Sequence, residues 1–200
     1  MKGSIAGLFV VASLVAAGHV SAQEIAPAPG RLEVSLIPGG GTWFLDNDDA
    51  PGFGNYDAGA AAAYNFSRIF GVEGEVAAAF GTKQELNGVF GERTSPNLLS
   101  YTGNLVANWT GRSFVPYATG GIGGLSVFER SDLSVADGQT HFTGNVGGGI
   151  KWLAASGRWG LRGDYRFLMT RGKDDSSSFF GTDNRYANRV YGAVIINAIK

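Results

Sequence analysis

The stretch 141–152, HFTGNVGGGIKW, alternates between two kinds of side chain. Every second residue from Phe142 to Trp152 is apolar or glycine, whereas the residues between them, from His141 to Lys151, are polar or glycine. A period of two residues is typical of a β-strand, because successive side chains in a strand point to opposite faces. The stretch therefore predicts a strand with one apolar and one polar face.

The next stretch, 159–169, WGLRGDYRFLM, repeats this alternation with charges on its polar face. Arg162, Asp164 and Arg166 lie on one side, opposite leucine, tyrosine, phenylalanine and methionine. Six further segments alternate in the same way, at about 31–44, 56–66, 72–80, 98–109, 114–128 and from about 188 to the end. The last of them carries apolar residues on both faces. Val190 and Val194 lie on one face, and Tyr191 and Ile195 lie with Arg189 on the other.

The connections between these segments are alternately short and long. Short turns are expected near 67–69, 110–113 and 154–158, and long connections at 45–55, 82–96, 129–139 and 171–187. An even number of antiparallel strands with short periplasmic turns and long extracellular loops is typical of bacterial transmembrane barrels. Eight strands close a small barrel. The predicted fold is all-β, an eight-stranded antiparallel up-and-down transmembrane β-barrel with four long extracellular loops.

The amino terminus has the pattern of an export signal. A positive start, an apolar run at 5–17 and a small-residue cleavage site before Gln23 predict a signal peptide at 1–22. The alternative is an anchoring helix, but the run is short against the roughly 20 residues that span a bilayer. Residues 23–30, with two prolines, are expected to be a flexible lead-in, and 31–200 the barrel domain.

Composition excludes several classes of protein. The net charge is −1, or −2 without the Lys2 of the leader, so nothing indicates nucleic-acid binding. There is no cysteine, so stability must come from packing or from the membrane rather than from disulfides. The 32 glycines show no collagen-like repeat, and within strands they indicate close approach of neighbouring backbones.

Two sets of side chains are candidates for a role inside or around the barrel. Eight charges on the polar faces are expected to form a lumen charge network: Asp57, Glu73, Glu75, Lys151, Arg162, Asp164, Arg166 and Arg189. Six aromatic residues are expected to form two interfacial girdles. Trp43 and Phe80 lie near the long connections, and Trp109, Tyr117, Trp152 and Trp159 lie beside the short turns.

Three motifs carry a resemblance to a known family. They are GVEGE at 71–75, Pro116-Tyr117 followed by GGIG at 120–123, and WGLRGDYR at 159–166. In this order the chain resembles the outer-membrane β-barrel family of OmpA-like and opacity-like proteins. The resemblance implies a monomer in the outer membrane of a Gram-negative-type bacterium. Its implied partners are membrane lipids, lipopolysaccharide, the assembly machinery and host or cell-surface ligands of the loops.

The chain departs from that family in two respects. It ends in Asn-Ala-Ile-Lys at 197–200, where such barrels usually end on an aromatic residue that the assembly machinery reads. It also lacks the peptidoglycan-binding domain of the longer OmpA-like members, so a tether to the cell wall is not implied. The expected function is a non-enzymatic structural or surface-interaction protein whose lumen is plugged by the charge network. The first alternative is a small passive pore or channel.

Particular residues bear on three further functions. A lipid-modifying barrel enzyme would use His141 with Thr143, but their phase points them inward, and no carboxylate orienter is visible. A catalytic pair of Glu73 and Glu75 would need a substrate cleft. The acidic run 46–49 lacks the spacing of a calcium loop. We therefore expect no catalytic residues, metal or cofactor. A soluble exported barrel, apolar inside and binding a hydrophobic ligand, is the remaining alternative.

Overall fold

The computed structural model describes residues 28–48, 50–86, 91–109, 111, 113–128, 130–131, 134–135, 139–173 and 182–197. The predicted signal peptide and residues 23–27 of the lead-in lie outside these ranges. Among the described residues, no helix has the length and apolar character needed to cross a membrane.

Eight long strands form one closed barrel, as the alternation predicts. They are β1 (Arg31–Phe44), β2 (Phe53–Asn65), β3 (Phe70–Gly81), β4 (Asn97–Asn108), β5 (Phe114–Phe128), β6 (Gln139–Leu153), β7 (Trp159–Thr170) and β8 (Arg185–Asn197). Each strand pairs antiparallel with its neighbours in the chain, and β8 pairs with β1 to close the barrel. The fold class is confirmed.

The two faces of each strand meet opposite environments. Val76 and Val146 on the outer face are 53% and 61% exposed, whereas Lys151 and Arg166 on the inner face are each 1% exposed. Apolar side chains therefore cover the outside, and the ionic side chains lie inside. The last strand keeps the predicted phase, with Val190 outward and Arg189 inward.

The connections follow the predicted short and long order. Short turns occupy 66–69, 109–113 and 154–158, and long connections occupy 45–52, 82–96, 129–138 and 171–184. The second long connection contains a small hairpin in which Lys83–Leu86 pairs with Gly91–Thr94. Strands β2 and β8 each start about three residues earlier than predicted, so the barrel wall reaches further toward the loop end.

Strand β1 is irregular at its glycines. Its register shifts between Leu36 and Gly39 against β8, and between Ile37 and Gly40 against β2. A Cβ on Gly40 would lie 2.6 Å from the carbonyl oxygen of Val190, so glycine is required for this approach. Close approach of neighbouring backbones is what the strand glycines predicted, and here it accompanies a β-bulge, which raises the local twist of the barrel wall.

Candidate functional site

The lumen contains all eight charges that the sequence placed on the inner faces. Each of them is at most 4% exposed. An ion removed from water is costly unless opposite charges and hydrogen bonds surround it. The geometry of the lumen is therefore decided by how these side chains pair.

Two arginines of β7 form the centre of the network. Arg166 places its guanidinium nitrogens 2.8 Å from Glu73, 3.0 Å from Asp164 and 3.1 Å from Glu75. Arg162 contacts the carboxylate of Glu73 and lies 2.6 Å from that of Asp164. Each of these two carboxylates thus receives two arginines. The i, i+2 spacing on one strand face explains why Arg162, Asp164 and Arg166 reach the same point.

Arg189 of β8 extends the network toward the long connections. Its Nη1 lies 2.5 Å from Glu75, and its Nε lies 3.0 Å from Asp57. The hydroxyl of Thr42 donates to the same Asp57 oxygen at 2.6 Å. The network is therefore continuous from β7 through β8 to β1 and β2.

Tyr117 was predicted in the aromatic girdle, and that prediction is wrong. Its side chain is 3% exposed and lies in the lumen. It shares the inner face of β5 with Val115 and Leu125, while Phe114 and Ile122 lie exposed on the outer face, so β5 carries apolar residues on both faces. An apolar face marks the lipid side only when the opposite face is polar, and on β5 this condition is not met.

In the lumen, Tyr117 joins the charges. Its hydroxyl donates to the carboxylate of Asp164 and accepts from Nε of Arg162 at 2.7 Å. A Cβ on Gly149 of the neighbouring strand would lie 2.8 Å from this hydroxyl, so the absence of a side chain makes room for the phenol. Tyr191 acts similarly, accepting from Arg166 at 3.0 Å and donating to Glu75 at 2.8 Å.

Sequence reasoning missed one member of the buried ionic set, Glu33. Nζ of Lys151 lies 2.7 Å from Glu33, and the amide of Asn65 donates to the other carboxylate oxygen at 2.9 Å. Both ionic side chains are almost completely buried. The alternation of β1 contained this signal. Leu32 and Val34 lie on one face of the strand, and Glu33, between them in the sequence, lies on the opposite face.

A second missed residue, Arg185, lies at the long-loop end. Its guanidinium donates to Oδ1 of Asn47 at 3.0 Å and to the carbonyl oxygens of Ala50 and Pro51 at 2.9 and 2.7 Å. It thereby ties the connection 45–52 to β8. In the same connection the Asp46 carboxylate accepts the backbone N–H of Gly52. Among the described residues, no group of three or more potential metal-ligating side chains is present.

Apolar clusters lie at both ends of the ionic network. The larger one, at the long-loop end, consists of Phe44, Phe53, Ala79, Leu98, Leu125, Val127, Leu168 and Ala187. The rings of Phe44 and Phe53 stack with centroids 4.7 Å apart. The smaller cluster, at the short-turn end, is Val115, Leu153 and Ile195. The alternation pattern did not predict these inward apolar residues.

The spaces beside the network are small. A cavity of about 20 Å³ is lined by residues that include Thr42, Asp57 and Arg189, and another of about 10 Å³ by residues that include Asn145 and Arg166. Each has about the room of one water molecule. Glu73 and Glu75 both bind arginines. Neither of these two cavities is large enough to admit a sugar or a peptide.

The candidate pair for lipid chemistry also points inward. His141 is 0% exposed, and its Nδ1 lies 3.1 Å from the carbonyl oxygen of Arg171. Thr143 is 2% exposed and contacts the hydroxyl of Thr170 at 3.2 Å. Neither side chain reaches the outer surface of the barrel.

Comparison with known proteins agrees with this geometry. The profile of the outer membrane protein beta-barrel domain matches residues 9–192. The chain belongs to this family. No curated protein sequence matches it. In this family's layout the short turns face the periplasm and the long loops face outward.

Solved outer-membrane barrels share the fold at low sequence identity. Neisserial surface protein A (NspA) is 12% identical, with a TM-score of 0.63 over 84% of this chain and 97% of NspA. OprG of Pseudomonas aeruginosa is 13% identical, with a TM-score of 0.53 over 89% and 100%. Ail of Yersinia pestis, in complex with the heparin analogue sucrose octasulfate, is 14% identical, with a TM-score of 0.55 over 85% and 99%.

Five of the six predicted girdle residues lie on the outer surface of this outer-membrane barrel. Trp43 and Phe80 are 50% and 49% exposed near the long connections. Trp109 and Trp159 are 59% and 44% exposed beside the short turns, and Trp152 contacts Trp159 edge to face at 5.3 Å. A soluble barrel with an apolar interior is excluded, because the outer faces are apolar and the ionic residues lie inside.

Proposed function

We propose that this outer-membrane barrel has a structural or surface-interaction role, carried by its four long loops, and that its lumen is plugged. One observation carries the proposal: the buried ionic network lies between two apolar clusters. Because the barrel interior is occupied in this way, the surfaces left for a partner are the outer wall and the loops. Loops on a rigid scaffold are the usual place for binding residues.

Recordings in planar lipid bilayers test the plug. We expect the purified barrel to give no large, stable single-channel currents. Such currents would contradict the plug and favour the alternative, a small passive pore. OprG, reconstituted in the same lipids, provides a fold-matched comparison at 13% identity.

The charge of the loops restricts their partners. The four long connections contain eleven acidic and five basic residues. Ail was crystallised with a sulfated sugar, but a polyanion would be repelled by the net negative loops of this chain. Lipopolysaccharide phosphates bridged by divalent cations, or cationic surfaces of host proteins, fit this charge better.

Binding of purified lipopolysaccharide tests the loop assignment. We expect detergent-solubilised barrel to bind it in millimolar Mg²⁺ and to release it in EDTA. A variant with connections 82–96 and 171–184 replaced by Gly-Ser turns should lose this binding while keeping the heat-dependent gel shift of a folded barrel. Equal binding by both forms would assign the interaction to the barrel wall or to the two connections that remain, 45–52 and 129–138.

We also propose that the protein is not an enzyme and that residues 1–22 are removed on export. The inward positions of His141 and Thr143 support the first statement, since lipid A lies outside the barrel. Lipid A from cells with and without the protein should have the same mass, and a shift abolished by His141→Ala would contradict this. Amino-terminal sequencing of the membrane protein should begin at Gln23.

A further inference from the structure

The three short turns share a charge pattern that the lumen network and the loops do not explain. Each contains one arginine and no acidic residue: Arg68 in 66–69, Arg112 in 109–113 and Arg158 in 154–158. In the lumen, each of the five buried carboxylates pairs with at least one of four buried basic side chains in the described residues. The periplasmic end therefore carries basic side chains on turns that contain no carboxylate.

Exposed aromatic side chains lie directly beside these arginines. Phe66 and Phe70, which flank Arg68, are 52% and 45% exposed. Trp159, which follows Arg158, is 44% exposed. Aromatic side chains on a membrane protein's surface settle at the depth of the lipid headgroups. Arginines one or two residues away therefore lie at the depth of the phosphates.

Arginine is the side chain best suited to this contact. Its planar guanidinium can donate two parallel hydrogen bonds to phosphate oxygens. A zwitterionic phospholipid brings its own cation, and the short turns offer no carboxylate to pair with it. An anionic phospholipid has no cation in its headgroup, so its phosphate charge is available to the arginine.

We propose that the short-turn end binds the phosphate groups of anionic phospholipids in the periplasmic leaflet. Exposed Arg68 and Arg158 are the principal ligands. Arg31, half-buried at the start of β1 on the same end, adds positive charge. The inference depends on the family's membrane placement and is independent of the loop function proposed above.

Tryptophan fluorescence offers a direct test, since three of the four tryptophans lie beside the short turns. In a Trp43→Phe background, the remaining tryptophans report on lipid at that end. The barrel is reconstituted in vesicles that mix phosphatidylglycerol and phosphatidylcholine, with one or the other brominated as quencher. We expect phosphatidylglycerol to be preferred by about fivefold, the effect of one basic residue near an anionic surface, and 0.5 M NaCl to reduce the preference.

Two double variants distinguish the effect of the turn arginines on lipid preference from the effect of the net charge. Arg68→Gln with Arg158→Gln should lower the preference to about twofold or less. Arg171→Gln with Lys173→Gln, on the long-loop side, makes the same change in net charge and should leave the preference intact. A heat-dependent gel shift verifies that both variants fold. Equal quenching by both lipids overturns the proposal, as does a preference that survives the turn substitutions. Arginine-dependent binding to isolated peptidoglycan, without lipid preference, assigns the turns to the cell wall instead.

Discussion

At the middle of the lumen Arg166 contacts three carboxylates, whereas at the long-loop end Phe44 and Phe53 stack among aliphatic side chains. Both regions are buried, but removal of a side chain has different consequences in each. In the ionic region it leaves opposite charges without compensation. In the apolar region it leaves a cavity. The two regions therefore occupy the lumen by different physical means, and substitutions can separate their contributions.

The largest effect is expected for Arg166→Met. The substitution leaves Glu73, Glu75 and Asp164 with fewer cations at a buried site. Breaking a buried ionic group in this way costs about 3–5 kcal/mol. The measurement is the free energy of unfolding in urea, followed in detergent micelles by gel mobility. Arg171→Met, at an exposed arginine, is the matched control and should cost little. A loss below about 1 kcal/mol for Arg166→Met would mean that water, not protein, compensates these charges.

The apolar region is tested by Phe53→Ala, for which we expect a loss of about 3 kcal/mol, at the low end for a buried phenylalanine. The Phe53 ring is 3% exposed, and its removal abolishes the stacking on Phe44 as well as the contacts with aliphatic side chains. Phe142→Ala is the control, because Phe142 lies on the outer face and is 55% exposed. The ionic network remains in place below, so Phe53→Ala should conduct no current in planar bilayers. A current in this variant would show that the apolar cluster alone closes the lumen.

A smaller effect is expected for Arg185→Gln, which removes the hydrogen bonds that hold the connection 45–52. Three hydrogen bonds from the guanidinium to this connection would be lost. Hydrogen bonds to one charged group of this kind contribute about 2 kcal/mol. Cleavage of the intact barrel by an added protease should become faster within 45–52 and stay unchanged in the other connections. A uniform increase at all loops would instead indicate that the barrel itself is destabilised.

The comparison also explains what sequence alone could predict. A period of two identifies a strand and its polar side, so the strands and the eight lumen charges followed from the alternation. Glu33 also followed from the alternation of β1 but was overlooked. Tyr117 and Phe53 required more, because a side chain's position along the lumen depends on register and on glycines of neighbouring strands. Tyr117 fits only beside Gly149, which pairs with it across the β5–β6 ladder. Arg185 was missed because its partners are backbone carbonyl oxygens, which carry no sequence pattern.

The smallest effect is expected at the surface ion pair of Lys83 and Glu92. Their charged groups lie 2.8 Å apart, much as in the lumen, but the side chains are 67% and 60% exposed. Water already solvates both ions, so the pair should contribute less than about 0.5 kcal/mol. A double-mutant cycle with Lys83→Met and Glu92→Gln measures this coupling, with the cycle of Lys151→Met and Glu33→Gln as the buried counterpart. The distance between the charged groups is nearly equal in the two ion pairs. A larger coupling energy for the pair in the lumen would therefore isolate the effect of burial. Equal couplings would contradict the idea that exclusion of water strengthens the network.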